Sequence, residues 1–189
     1  MKPLRPFPFP LNIGTDICRI SRIYAILRSS RGPRFVDRIF SPEEQARKDE
    51  RLQCLDHRPP LGNAFGDEEA LGRQSGMKKN LGSSEEIARR DPERWAAASF
   101  VAGRFAAKEA AIKAHSHRRL TFHDVVIERR GRQEERLGSG PPVARIKGGE
   151  GDAEDASAMI SISHDGDYAT AVCMAYDPSV LEQGGKQLC

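Results

Sequence analysis

One short stretch of this sequence concentrates side chains suited to phosphate chemistry. Residues 104–114 read RFAAKEAAIKA. At helical spacing Phe105, Glu109 and Lys113 fall at i, i+4 and i+8 and share a face, with Arg104 and Lys108 on a neighbouring stripe. Ala102, Gly103, Ala106, Ala107, Ala110 and Ala111 are small enough to let another group approach the helix closely. The plain structural account is a solvated Glu–Lys pair that stabilises a helix by about 0.2–0.5 kcal/mol. A chemical account needs a second acid, and Asp16 is the candidate. It follows Gly14 at an apparent strand end, where its ordinary role would be to cap the next helix. If Asp16 and Glu109 converge, they offer two hard carboxylate oxygens. Mg²⁺ asks little more of a protein when phosphates and water complete its shell.

His164 closes an apolar strand at a turn. It reads either as a surface histidine or as a phosphate donor or proton carrier. Asp165 beside it is a turn residue or a group that orients water. His115 and His117 are two apart, so they do not share a helix face, and they suggest no metal site. Arg19, Arg22, Arg28, Arg31, Arg34 and Arg38 gather near the first helix. They form a solvated basic face or a dock for an acidic partner, with Ile26 and Phe35 as apolar contacts inside the charged ring. The sequence has no GxxxxGK[ST], GxGxxG or GxSxG, so the usual nucleotide and hydrolase signatures are missing.

The elements that must position these groups are legible in outline. Residues 10–17 predict a short strand ending in a turn at Gly14, and residues 17–27 a helix. Ser41-Pro42-Glu43-Glu44 is a helix start. Asp91-Pro92 opens a long helix that runs to about His115. Strands are expected within 121–130 and at 143–146. Residues 159–164 and 168–174 form a hairpin around Asp165-Gly166. Two polar, Gly- and Pro-rich stretches, 58–84 and 130–158, read as surface insertions. The expected class is α+β, an antiparallel-rich sheet packed with one long helix and several shorter ones, in a single domain over 1–189.

Composition narrows the rest. The chain has 189 residues, 38% hydrophobic and 30% charged, with a net charge of +3. So mild a charge argues against a nucleic-acid module using those arginines on phosphates. No apolar run reaches the roughly 20 residues of a membrane helix. Cys18, Cys54, Cys173 and Cys189 lack CxxC or zinc-ligand spacing and read as free thiols in a reducing compartment. The prolines of MKPLRPFPFP forbid the amphipathic helix of a typical transit peptide.

Four blocks, in order, carry a resemblance: IGTDICRISRI (13–23), RFVDRIFSPEE (34–44), FVAGRFAAKEAAIKA (100–114) and SISHDGDYA (161–169). Together they resemble the holo-acyl-carrier-protein synthase family of 4′-phosphopantetheinyl transferases. The resemblance implies transfer of phosphopantetheine from coenzyme A to a serine of an acyl carrier protein; a silent relative that only binds coenzyme A or the carrier is the alternative. It implies Mg²⁺ on Asp16 and Glu109, and Lys113 on the phosphates. Arg104 and His164 would line the coenzyme A site, often from a neighbouring subunit, with Lys108 beside them. Glu109, Lys113 and Asp165 would serve the chemistry. The arginines around Arg22 would meet the carrier. Short members of the family are homotrimers with active sites between subunits. The two insertions exceed those of compact bacterial relatives, which points to a eukaryotic, fungal member that is mitochondrial, with a cytoplasmic one as the alternative.

Overall fold

The computed structural model describes residues 9–56, 83–129, 141–149, 151 and 154–178. Most of the first expected insertion, about half of the second, and Cys189 lie outside them; the strand Pro142–Ile146 and the start of the strand Ala156–Asp165 fall within the second. Five strands form one antiparallel sheet in the order β1-β5-β4-β3-β2. They are β1 (Leu11–Arg19), β2 (Val125–Arg129), β3 (Pro142–Ile146), β4 (Ala156–Asp165) and β5 (Tyr168–Tyr176). The helices are α1 (Ile20–Arg28), α2 (Gly32–Ile39), α3 (Pro42–Ala46), α4 (Gln53–Asp56), α5 (Ser84–Arg90) and α6 (Pro92–Ala114). The α+β expectation matches this architecture.

Helix α6 is the spine. Alanine is the best helix former, and proline at the first turn gives up no hydrogen bond. Ala97, Ala98, Ala102, Ala106, Ala107, Ala110, Ala111 and Ala114 are fully buried. On β5 beneath it the sheet face is equally small, with Ala169, Ala171, Cys173 and Ala175. Small residues on both sides bring the helix down onto the backbone of the strands, so shape rather than bulk sets their relation.

The approach is tightest at Gly14. A Cβ there would stand 1.9 Å from the Ala110 carbonyl oxygen and 2.7 Å from the Ala114 nitrogen. Gly14 is therefore no turn. The strand runs through it to Arg19, and the next helix begins at Ile20 instead of Ile17. Asp16 accordingly lies in mid-strand and caps nothing. The cap of α1 comes from Asp167, whose carboxylate accepts from the Ser21 nitrogen at 2.8 Å and the Ser21 hydroxyl at 2.7 Å. Asp167 stands in the β4–β5 hairpin, whose two-residue tip is Gly166-Asp167, one place beyond the expected pair. Gly166 has φ +52°, as the first central residue of a type II′ turn requires.

Short helix starts are well encoded. Ser41 and Ser83 each accept from the third nitrogen of their helix while Glu44 and Glu86 reach back, two complete capping boxes. The second one starts α5 at the end of the first expected insertion.

The deepest polar contact ties the helices to the sheet. Lys108 is fully buried. Its Nζ donates to Glu44 Oε2 at 2.5 Å, to the Ile39 carbonyl at 2.7 Å and to the Phe122 carbonyl at 2.9 Å. Burial holds the ammonium below its ordinary pKa, against the pull of the Glu44 carboxylate. Glu44 also accepts from the Ser41 nitrogen at 2.9 Å and the Ile127 nitrogen at 3.2 Å. One ion pair thus joins α6, α2, α3, β2 and the turn before β2.

Two stability changes follow. Lys108→Met leaves the Glu44 carboxylate buried without its counter-ion and should cost about 3–5 kcal/mol in urea unfolding; a loss below ~1 kcal/mol would mean the pair anchors nothing. Gly14→Ala must push β1 off α6, because backbone atoms cannot rotate aside. It should cost about 3 kcal/mol, at the upper end of overpacking effects, and a variant that melts at the wild-type temperature would refute the close approach.

Candidate functional site

The seam between β1 and α6 gathers the acidic groups. Along β1, Gly14, Asp16 and Cys18 face the helix, while Ile13 and Ile17 face away and are exposed. With Gly14 seated on Ala110 and Ala114, Asp16 comes beside the last turns of α6. Lys113 closes the gap: its Nζ donates to Asp16 Oδ1 at 2.7 Å and to the Thr15 carbonyl at 3.0 Å. Lys113 is half-exposed and Asp16 is largely covered. Glu109, one turn earlier on α6, is part-buried and makes no hydrogen bond or ion pair among the described residues. A carboxylate kept partly from water without a partner is costly unless something else binds it.

These residues fit a small hard cation. Two part-buried carboxylates meet the protein's share of a Mg²⁺ shell, and one of them has both oxygens unengaged. Among the described residues no group of three or more His, Cys, Asp and Glu could hold a metal ion. The remaining ligands would have to be phosphate oxygens and water.

A second cluster sits about 14 Å up the same helix, by the 1.5 Å rise over the nine positions from Lys113 to Arg104. Here an open groove of about 510 Å³ is lined by Arg51, Phe100, Gly103, Arg104, Ile162 and His164, among others. His164 lies against α6 where Gly103 lacks a side chain; its Nε2 is 3.1 Å from the Ser99 carbonyl oxygen. Phe100 carries the guanidinium of Arg51 at 3.7 Å from its ring centroid and that of Arg104 at 5.0 Å. Asp49 holds Arg51 in a two-pronged pair at 2.8 and 2.6 Å. Among the described residues the groove's lining has three cationic or imidazole side chains, an aromatic ring and no acid, so it suits a phosphate attached to a ring.

The sequence-derived set therefore divides. Lys113 meets Asp16, with Glu109 one turn earlier on the same helix, and Arg104 and His164 line one groove. Lys108 does not belong to a ligand site: its ammonium has no exposure and all three of its donors are used inside the protein. Asp165 does not join the seam either. Its pairing with Tyr168, and of Tyr168 with Arg19, puts it on the outer face of the sheet, away from α6.

Of the proposed docking arginines, Arg34 is exposed, while Arg28 lies over Tyr24 at 5.6 Å. Arg22 lies over Phe105 at 5.5 Å and also donates to Cys18 Sγ at 3.6 Å. Arg19 donates to the Tyr168 hydroxyl at 2.9 Å and pairs with Asp167 at 3.7 Å. Ile26 and Phe35 pack against the core, Phe35 stacked on Phe105 at 6.3 Å. Sequence reasoning missed Arg51, which lies in no recognisable motif. It also missed Gly14 as a contact, for which the only available signal was a glycine within an alternating strand opposite an alanine-rich helix.

No protein-family model matches the chain. The 4′-phosphopantetheinyl transferase B, mitochondrial, of Aspergillus fumigatus is 34% identical over 183 residues, covering 91% of this chain and 97% of that protein. Among solved structures, the holo-ACP-synthase from Plasmodium yoelii has a TM-score of 0.50 at 21% identity, covering 88% of this chain and 94% of that one. That second likeness speaks for the fold alone. With a relative of this identity matched almost end to end, the chain belongs to the 4′-phosphopantetheinyl transferase family.

Proposed function

We propose that this protein moves the 4′-phosphopantetheine arm of coenzyme A onto a serine of an apo acyl carrier protein, in the presence of Mg²⁺. The observation that supports the chemistry is the reach of Lys113 from α6 to Asp16 on β1, with Glu109 one turn from Lys113 on the same helix. Asp16 and Glu109 are the residues that would hold the cation. When bound, Mg²⁺ supplies charge neutralisation on the diphosphate oxygens.

The protein's own groups do the rest. The serine oxygen attacks the phosphorus that bears pantetheine, the bond to the bridging oxygen breaks, and 3′,5′-ADP leaves. Lys113 stabilises the charge that grows on that oxygen. Glu109 takes the serine proton: Asp165 lies on the other face of the sheet, and Asp16 already accepts from Lys113. The groove of Arg51, Arg104 and His164 receives the nucleotide end of coenzyme A. Arg22, Arg28, Arg34 and their neighbours meet the acidic carrier, and pairing between exposed charges there weakens as salt rises.

The outer face of the sheet supports self-association. Ile13 and Ile17 are each 64% exposed and Met159 63%. With Leu11, Val172 and Tyr176 they cover neighbouring positions of β1, β5 and β4. A contiguous apolar surface of this kind is a contact face. The proposed assembly is a homotrimer that sets the Arg104–His164 groove of one copy toward the Asp16–Glu109 seam of the next, bridging two clusters that one chain keeps apart. A mitochondrial location is proposed from what the name of the Aspergillus relative says of that protein.

Incubating apo carrier protein with coenzyme A, Mg²⁺ and the enzyme should add one phosphopantetheine to the carrier, read by intact mass. Asp16→Ala, through loss of cation binding, and Glu109→Gln, through loss of the cation and of the base, should each lower the rate by at least about a hundredfold, with unchanged circular dichroism. Transfer at the wild-type rate by either variant would sink the assignment. In sedimentation, Ile13→Asp with Val172→Asp should convert trimers to monomers; a wild-type chain that sediments as a monomer at micromolar concentration would exclude the assembly.

A further inference from the structure

Lys113 has a choice of acids and takes the less obvious one. Glu109 is four residues away on the same helix, the spacing at which a Glu–Lys pair forms readily. The ammonium leaves Glu109 alone and crosses to Asp16 Oδ1 and the Thr15 carbonyl instead. It thereby occupies one of the two carboxylates that a cation at this seam would use.

We propose that Lys113 is a resident counter-cation that the metal must displace from Asp16, and that this exchange couples metal binding to the arrival of the coenzyme A diphosphate. The inference rests on the function proposed above. Asp16, Glu109 and Lys113 together carry one net negative charge. A lone divalent cation reverses that sign and drives the ammonium away from Asp16 and the Thr15 carbonyl, which opposes binding. If the diphosphate arrives as well, the displaced ammonium finds phosphate oxygens within the sweep of its flexible stem. Lys113 is half-exposed, so its stem has open solvent to move through. The cation is accordingly held weakly by the protein alone and tightly in the presence of coenzyme A. The same side chain that blocks Asp16 becomes the phosphate contact, so loading of the two ligands is synergistic through a residue that binds both in turn.

Direct titration of the full chain with Mn²⁺, followed by electron paramagnetic resonance, separates the possibilities without any turnover. In the absence of coenzyme A, Lys113→Met should bind Mn²⁺ about tenfold more tightly than wild type, the size expected for removing one unit charge a few ångströms from a divalent ion in a well-solvated site. Saturating coenzyme A should tighten Mn²⁺ binding about tenfold less in the variant than in wild type. Lys113→Arg, which keeps a cation on the same tether, should stay close to wild type in both titrations. Equal or weaker Mn²⁺ binding by Lys113→Met without coenzyme A overturns the exchange while leaving the proposed function standing. Asp16→Ala should lose Mn²⁺ binding in the same assay. If it binds Mn²⁺ as wild type does, the metal assignment falls and this proposal falls with it.

Discussion

The rest of the molecule depends on how an alanine helix is held in one rotational setting. Alanine side chains are nearly interchangeable, so a helix with alanine around most of its circumference could turn about its axis with little change in buried apolar area. Directional contacts remove that freedom. Lys108 points into the protein and is held by Glu44, Ile39 and Phe122, whose positions are fixed by α2, α3 and the turn before β2. On another side, Ala110 and Ala114 present their backbone to Gly14. A lysine anchored at one azimuth and a glycine notch at another leave one setting of the helix. In that setting Glu109 and Lys113 stand beside β1.

The anchor also explains the conservative chemistry around Glu44. A buried ammonium and carboxylate both lose hydration, and their attraction alone does not reliably repay it. Here the remaining valences are filled by backbone groups: two carbonyls on Lys108, and two amides on Glu44, one of them inside the Ser41 capping box. The capping box is thus part of the anchor as well as the start of α3. The site at the seam depends on a helix start that never touches it.

Much of this was legible in the sequence where local rules are strong. Proline at the start and a run of alanines mark α6 from Asp91 to His115, and Asp165-Gly166 marks the last hairpin, one place short of its tip. What local rules cannot supply is orientation in space. Lys108 and Lys113 are five residues apart on one helix, and their side chains are chemically identical. One is sealed around a salt bridge and the other reaches through solvent to Asp16. The acid that decides the fate of Lys108 is Glu44, more than sixty positions away. Gly14 misleads for a related reason. Glycine marks turns and also marks places where two backbones touch, and only the partner distinguishes them. Asp165 reads as a site residue because it follows His164, yet adjacent strand residues face opposite ways, so the pleat that delivers one to the helix face removes the other.

The two faces of the sheet divide the labour by size. On β1 and β5 the inner face is built of Gly14, Cys18, Ala169, Ala171, Cys173 and Ala175, and it draws the helix close enough for side chains on α6 to meet β1 across a narrow seam. Bulkier residues on that face would lift the helix and separate Lys113 from Asp16. The large apolar residues of the same strands, Ile13, Ile17, Val172 and Tyr176, therefore stand outside, where one chain leaves them facing water. Exposure of that face is the cost of keeping the inner one thin. It is offset if copies of the chain cover one another, and the strand pattern that aligns the acids would then also dictate assembly. A fold that gains its site by thinning its own core has reason to complete itself with a neighbour.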